Sequence, residues 1–315
     1  MRAVTIVDGA LEWRAHPDPE PGTGEVLVRV RAAGLNGADR LQVAGLYPAP
    51  PGSPPDIPGL ELAGEVQALG PGATRVAVGD RVMAVVGGGG QAELAVVHER
   101  HLLPVPDGVP WEAAGGFPEA FTTAHDALFT QAELQLGERV CIHGAAGGVG
   151  VTAVQLAAAA GAHVTATVRD EGRRAQVAAL GAHEVIAPDD LDRAGPFDVV
   201  LELIGAPNLP GDLRALATGG RIAVIGVGAG AKAEVNLLEL MGKRARIHGS
   251  TLRARSLEDK ADAARRVERH VLPLLAAGRV SVPVQATHPM ADAPAAYAAF
   301  AAGGKLGKLV LTSDT

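Results

Sequence analysis

The sequence predicts an α/β protein, with a doubly wound, six-stranded parallel sheet preceded by an irregular β domain. Three observations predict it. The 315 residues exceed the length at which a single hydrophobic core usually stops growing, so two domains are expected. Residues 1 to about 112 hold most of the prolines and short alternating segments cut by turn signals. From about Trp111 the rhythm changes to apolar strand followed by helix, which implies parallel strands buried on both faces.

In the first part, Val26, Val28 and Val30 alternate within 25–33 and share one face of a strand. Pro21-Gly22, Gly52-Ser53-Pro54-Pro55, Pro71-Gly72 and Gly79-Asp80 mark turns, and Gly87 to Gly90 read as a loop inside the domain. In the second part, strands are predicted at 139–143, 163–168, 184–186, 197–201, 221–225 and 246–249. Helices are predicted at 151–160, 173–180, 208–217 and 236–241, the first two closed by Gly161 and Gly181. A long helix over about 256–277 carries Leu257, Ala261, Ala264, Val267 and Val271 at helical spacing. The tail, with Val282, Val284 and a strand at 308–311, is expected to return to the β domain. The expected division is 1–115 completed by 283–315, and 116–282.

A formal charge of -7 without a lysine-rich run argues against nucleic acid as a partner, since phosphate neutralisation needs clustered cations. No apolar stretch reaches the roughly 20 residues of a membrane span. The opening MRAVTIVDGALEW is broken by Asp8, Gly9 and Glu12 and reads as a strand and turn, so a cytoplasmic protein is expected. The single cysteine, Cys141, excludes an internal disulfide and a cysteine-rich zinc site.

The stretch CIHGAAGGVGVTAVQLAAAAG, 141–161, falls at the first strand-to-helix turn of the sheet. Backbone amides of a new helix point outward there, and its dipole favours an anion. Small residues at Ala145, Ala146, Gly147, Gly148 and Gly150 would let a dinucleotide pyrophosphate approach the backbone and let the helix pack on the strand. Ala146, Gly147, Gly148 and Val149 are the predicted contacts. The acidic residue that would bind a ribose 2′-hydroxyl at the end of the second strand is missing, for that strand ends Thr167-Val168-Arg169. Arg169 and Arg173 offer cations where a 2′-phosphate would sit, which favours NADPH over NADH. Asp170 could instead pair with Arg173 and leave a merely solvated surface.

A Rossmann domain with an N-terminal β domain to which the tail returns resembles the medium-chain dehydrogenase/reductase superfamily over nearly the whole chain. Members with a catalytic zinc carry an early cysteine and a later G-H-E motif. Here Asn36, within GLNGAD, and Gly59-Leu60-Glu61 stand at those places, and the ten histidines are dispersed along the chain, so no metal is expected. The segments AAGLNGADRLQVAGLYP, PGLELAGEV, GGGGQAELAVV, FPEAFTTAHDAL, HGAAGGVG and GKLGKLVL resemble the zinc-independent quinone oxidoreductases, relatives of zeta-crystallin, and most closely the branch of the tumour-suppressor-inducible quinone oxidoreductase. That resemblance implies a GroES-like first domain, NADPH-dependent quinone reduction without metal or flavin, and a homodimer or larger oligomer.

Quinones and conjugated enones are already electrophilic, so hydride transfer to them needs orientation and a dry pocket more than a Lewis acid. A hydrogen-bond donor at the substrate oxygen still helps by about 3 kcal/mol. Tyr47, one of two tyrosines, is the candidate donor, or else an aromatic covering the surface. The resemblance sets Asn36 near the nicotinamide or substrate, with helix capping as its alternative, and Thr123 near the nicotinamide. Gly226 and Val227 after the fifth strand would pass along the cofactor. Leu252, in 250–253, would line the same site, and Lys308 would reach the cofactor phosphates or stay solvated. Two departures weaken phosphate recognition: Ala187-Pro188 replaces a tyrosine, and Arg173 replaces a lysine. An enone reductase and a non-catalytic NADPH-binding protein remain open as alternatives.

Overall fold

The computed structural model describes residues 1–313. The chain divides into two compact units, Met1–Thr122 with Leu252–Thr315, and Thr123–Thr251.

The second unit is built on the expected six-stranded parallel sheet. Its strands, numbered along the chain, are Arg139–Ile142, His163–Thr167, Glu184–Ile186, Phe197–Glu202, Leu216–Val224 and Arg246–Gly249, in the spatial order 3-2-1-4-5-6. The topological switch point, where this fold binds ligands, lies between the first and fourth strands. Val140, Cys141 and Ile142 pair there with Val199, Val200 and Leu201 and are fully buried, as strands covered on both faces must be. The helix Gly148–Ala159 ends as predicted, with Gly161 at φ +78° allowing a left-handed turn that a side chain would resist.

In the first unit, a seven-stranded sheet forms around Glu25–Gly34, which pairs antiparallel with Glu61–Leu69, Leu94–His98 and Lys308–Thr312. Val26, Val28 and Val30 all face its core, together with Leu62, Val82, Val97, Leu309 and Leu311. The glycine run 87–90 is buried because it lies directly on the 57–61 segment: Gly89 and Gly90 donate their N–H groups to Ile57 O and Gly59 O at 2.8 and 3.1 Å. A Cβ on Gly90 would stand 2.6 Å from Glu61 O, so no side chain fits there.

Two expectations are corrected. The long helix is two helices, Leu257–His270 and Leu272–Ala276, because Pro273 has no N–H to continue the ladder and crowds the turn before it. The segment 252–282 belongs to the first compact unit, so the divisions fall after residues 122 and 251 where 115 and 282 were expected. Helical spacing identifies an apolar face but not the core that face will find. Here it is Glu99–His101 and Leu103–Pro104 that receive the helix.

Candidate active site

In the second unit the alanine-glycine turn leaves the first strand at His143 and enters the helix at Gly148. Gly144 takes φ +60°, Ala145 is buried and donates to Thr167 O at 3.3 Å, and Gly147 donates to Gly144 O at 2.9 Å. The turn is thus tied back to the second strand while Ala146 to Val149 stay half-exposed. In the first turn of a helix the N–H groups of Gly148, Val149 and Gly150 have no carbonyl to reach, so they face outward with the positive end of the dipole. A Cβ on Gly150 would lie 2.4 Å from Gly144 O and 2.6 Å from Ala145 Cα. This is a backbone cradle that one methyl group would disrupt, and it fits a dinucleotide diphosphate.

Past the second strand, Arg169 is exposed. Asp170 caps the next helix by accepting from Gly172 N–H at 3.0 Å, and its other oxygen stands 3.7 Å from Arg173 Nε. Arg173 also donates to Gln176 at 3.1 Å. The pairing of Asp170 with Arg173, held open above as an alternative, is therefore the arrangement in the structure, and Arg169 is the cation turned to solvent. Gly226 lies against Leu203, where a Cβ would sit 2.2 Å from the carbonyl oxygen, and Val227 beside it is 48% exposed. Thr123 is buried on the helix Pro118–His125.

Beneath the turn lies a buried cluster that the sequence reading missed. His143 approaches Thr167 Oγ1 through Nδ1 at 2.9 Å and Asp212 Oδ1 through Nε2 at 2.7 Å. Burial disfavours the His143 cation, yet Cys141 and Asp212 more than offset it and hold the imidazole's pKa above its ordinary value. Glu202, at the end of the fourth strand, accepts from Gly205 N–H at 2.6 Å, Asn208 Nδ2 at 3.0 Å and Ile204 N–H. Among the described residues, His143, Glu202 and Asp212 are the group that brings three ligand-type atoms together. Asp212 Oδ2 is left without a hydrogen-bond partner, while His143, Thr167 and Glu202 stand at the ends of three adjacent strands and Asp212 reaches them from the helix Leu209–Ala215. The signal was present as polar residues ending apolar strands, in CIHG and LELIG.

In the first unit, Asn36 precedes the helix Gly37–Val43. Its backbone N–H donates to Asp39 Oδ2 at 2.8 Å, while Gly59 N–H donates to Asp39 Oδ1 at 3.2 Å. Burial outweighs these bonds and raises Asp39 to about 7. Asn36 is the N-cap residue of that helix, boxed with Asp39, and its side chain also reaches Glu61 and Lys308. Nδ2 donates to Glu61 Oε1 at 2.9 Å, and Oδ1 accepts from Lys308 Nζ at 2.7 Å. Lys308, 3% exposed, also pairs with Glu61, whose second oxygen accepts from Glu119 N–H at 2.9 Å. Gly34 leaves the room: a Cβ there would lie 2.3 Å from Glu61 Oε1. The expectation that Lys308 reaches cofactor phosphates is corrected, because its ammonium is spent inside this network. Zinc does not fit here either, since an ammonium already neutralises the carboxylate and the neighbouring side chain is an amide.

Tyr47 is half-buried on the loop after that helix, and burial raises its phenol above the usual range. Leu252, expected to line the cofactor, is buried in the first unit beside Val85, Leu103 and Ala264. No helix among the described residues is long and apolar enough to cross a membrane.

Comparison with known proteins agrees with these features. The alcohol dehydrogenase GroES-like domain matches residues 22–107, and the zinc-binding dehydrogenase family matches 148–269. A quinone oxidoreductase of Rattus norvegicus is 31% identical, covering 93% of this chain and 90% of its own. One from Pseudomonas aeruginosa is 32% identical, covering 96% and 95%. A mycobacterial protein solved in complex with NADPH superposes with a TM-score of 0.88 at 25% identity, over 99% of this chain and all of the other. With the parallel sheet in its 3-2-1-4-5-6 order, the glycine turn at its head and a relative 31% identical over 93% of the chain, the chain belongs to the medium-chain dehydrogenase/reductase superfamily of nicotinamide-dependent oxidoreductases.

Proposed function

We propose that the protein is an NADPH-dependent quinone reductase that works without metal or flavin. The observation that carries this reading is the content of the polar centre in the first unit. Where relatives bearing the zinc motif would place ligands, Lys308, Glu61 and Asn36 satisfy one another. With their bonds spent on one another these side chains offer no seat for a Lewis acid, and a substrate that is electrophilic by itself, as a quinone is, suits such a site.

When bound, NADPH supplies a hydride, and one proton then completes the hydroquinone. The chain's residues have separable tasks. Amides of the 146–149 turn hold the diphosphate, and Arg169 takes the 2′-phosphate. Gly226, Val227 and Thr123 line the cofactor's path. Asn36, its amide fixed by Lys308 and Glu61, orients the reacting ring. Tyr47 donates a hydrogen bond, and then its proton, to the substrate oxygen. Lys308 is a positioning residue in this reading, and Leu252 has no part in it.

We read the protein as a cytoplasmic homodimer. Support for the dimer comes from the strand Arg246–Gly249, paired on one side only, and from Leu238 and Met241, 80% and 70% exposed on the preceding helix.

The test is steady-state turnover of 1,4-benzoquinone, 9,10-phenanthrenequinone and an alkenal, followed through NADPH absorbance. Turnover of the quinones supports the proposal. Turnover of the alkenal alone makes the protein an enone reductase, and NADPH binding without any turnover makes it a non-catalytic binding protein.

A further inference from the structure

Arg253 is 4% exposed, yet all its hydrogen-bond acceptors are neutral. Nε donates to Gly87 O at 2.8 Å, Nη1 to Tyr47 O at 2.7 Å, and Nη2 to Gln42 Oε1. Its guanidinium carbon lies over the Tyr47 ring, 4.9 Å from the centroid. One side chain therefore joins the end of the Gly37–Val43 helix, the loop bearing Tyr47 and the glycine run 87–90.

Burying a cation whose hydrogen bonds all go to neutral acceptors is expensive, Asp39 and Glu119 offset part of that cost, and the guanidinium's field also acts on what it touches. Here that is an aromatic face, where a cation gains from the ring quadrupole. The same field favours the ionised form of the phenol. Two neighbours act on that phenol besides burial, Arg253 lowering its pKa and Glu119 raising it. Arg253 is itself faced by Asp39, Glu119 and Lys260. The loop 44–59 has no strand or helix to fix the ring, so the hydrogen bond from Nη1 to Tyr47 O and the guanidinium over the ring supply that restraint.

We infer that Arg253 is the positioning residue for Tyr47, holding the ring in place through its bond to the backbone carbonyl and its guanidinium over the ring face. The inference rests on the reading of Tyr47 as the donor to a quinone oxygen. The proton goes from the phenol to the substrate oxygen, and solvent restores it.

The chain suits a direct test because it has only two tyrosines. Tyr297 is buried and donates to Gln91 at 2.9 Å, with its pKa well above the ordinary value, so Tyr47 ionises first. Ultraviolet titration of the full chain, with Tyr47→Phe to identify the transition, is compared with Arg253→Met and Arg253→Lys. Arg253→Met is expected to raise the Tyr47 midpoint by about one unit, tenfold in acidity. Arg253→Lys keeps the charge but loses the fork, so it shifts the midpoint less, and it keeps the measurement possible should the methionine variant fail to fold. In turnover, Arg253→Met lowers kcat for the quinone about tenfold with KM within about twofold, and costs less than about twofold in a Tyr47→Phe background.

An unmoved midpoint, or an equal loss in both backgrounds, overturns the role of Arg253 and leaves Tyr47 as donor. Full kcat in Tyr47→Phe overturns the donor reading itself.

Discussion

Lys308 and Glu61 form a buried ion pair, 3% and 0% exposed, joined at its edge by the Asn36 amide. Removing one partner strands the other's charge in the interior, whereas removing both removes the problem. Lys308→Met is expected to destabilise the protein by about 3–5 kcal/mol, and adding Glu61→Gln should recover part of that loss. Urea denaturation of the two variants and the wild type checks it. Equal stabilities for the two variants would argue that the pair contributes no coupling.

The glycine turn makes a steric prediction. Gly150→Ala forces a methyl group to within 2.4 Å of Gly144 O, whereas in Gly147→Ala the nearest atom is that same oxygen at 3.3 Å. Fluorescence titration should find NADPH binding weakened at least about tenfold by the first substitution and much less by the second.

Arg169 and Arg173 are expected to differ. Charge-assisted hydrogen bonds are worth about 1.5–3 kcal/mol, so Arg169→Ala should weaken NADPH binding by roughly tenfold to a hundredfold and leave NADH unchanged. Arg173 already stands by Asp170 and Gln176, and its removal should matter less. Parallel titrations with both nucleotides decide the point, and an unchanged preference in Arg169→Ala would contradict the phosphate assignment.

Asp39 links stability to pH. Its folded-state pKa, about 7, lies above the ordinary 3.8, so the native state binds the extra proton. Its contribution is complete below about pH 4 and is lost as pH rises to about 7. Asp39→Asn should flatten that part of the stability curve, at the cost of a weaker hold on the Asn36 and Gly59 amides. Denaturation midpoints measured from pH 4 to 8 provide the check.

Much of this was legible because it is local. Six strands alternating with helices, the small residues of 145–150 and the alternation of Val26, Val28 and Val30 are backbone requirements written in neighbouring residues. Partnerships across the chain were not legible. Lys308 reads as a lysine on a closing strand, and nothing near it in sequence announces that Glu61 and Asn36, about 250 residues earlier, wait for its ammonium. Asp212, likewise, is a polar residue on a helix until His143 is found 2.7 Å away. The apolar spacing that marks the long helix, Leu257 to Val271, runs up to Pro273 and carries no sign of where the helix breaks. Arg253 falls in the segment 250–253 expected to line the cofactor, and its bonds to Gln42, Tyr47 and Gly87 could not be read before three separate stretches were brought together.

The strand Lys308–Thr312 lies against Glu25–Gly34, so the first unit encloses in sequence the whole of the second. During synthesis residues 25–34 emerge early and lack this partner until nearly three hundred more have been translated. The parallel-sheet unit, one uninterrupted stretch, can condense while the ribosome is still working. A stalled chain ending near residue 300 should therefore protect 123–251 from protease while 1–122 is still digested.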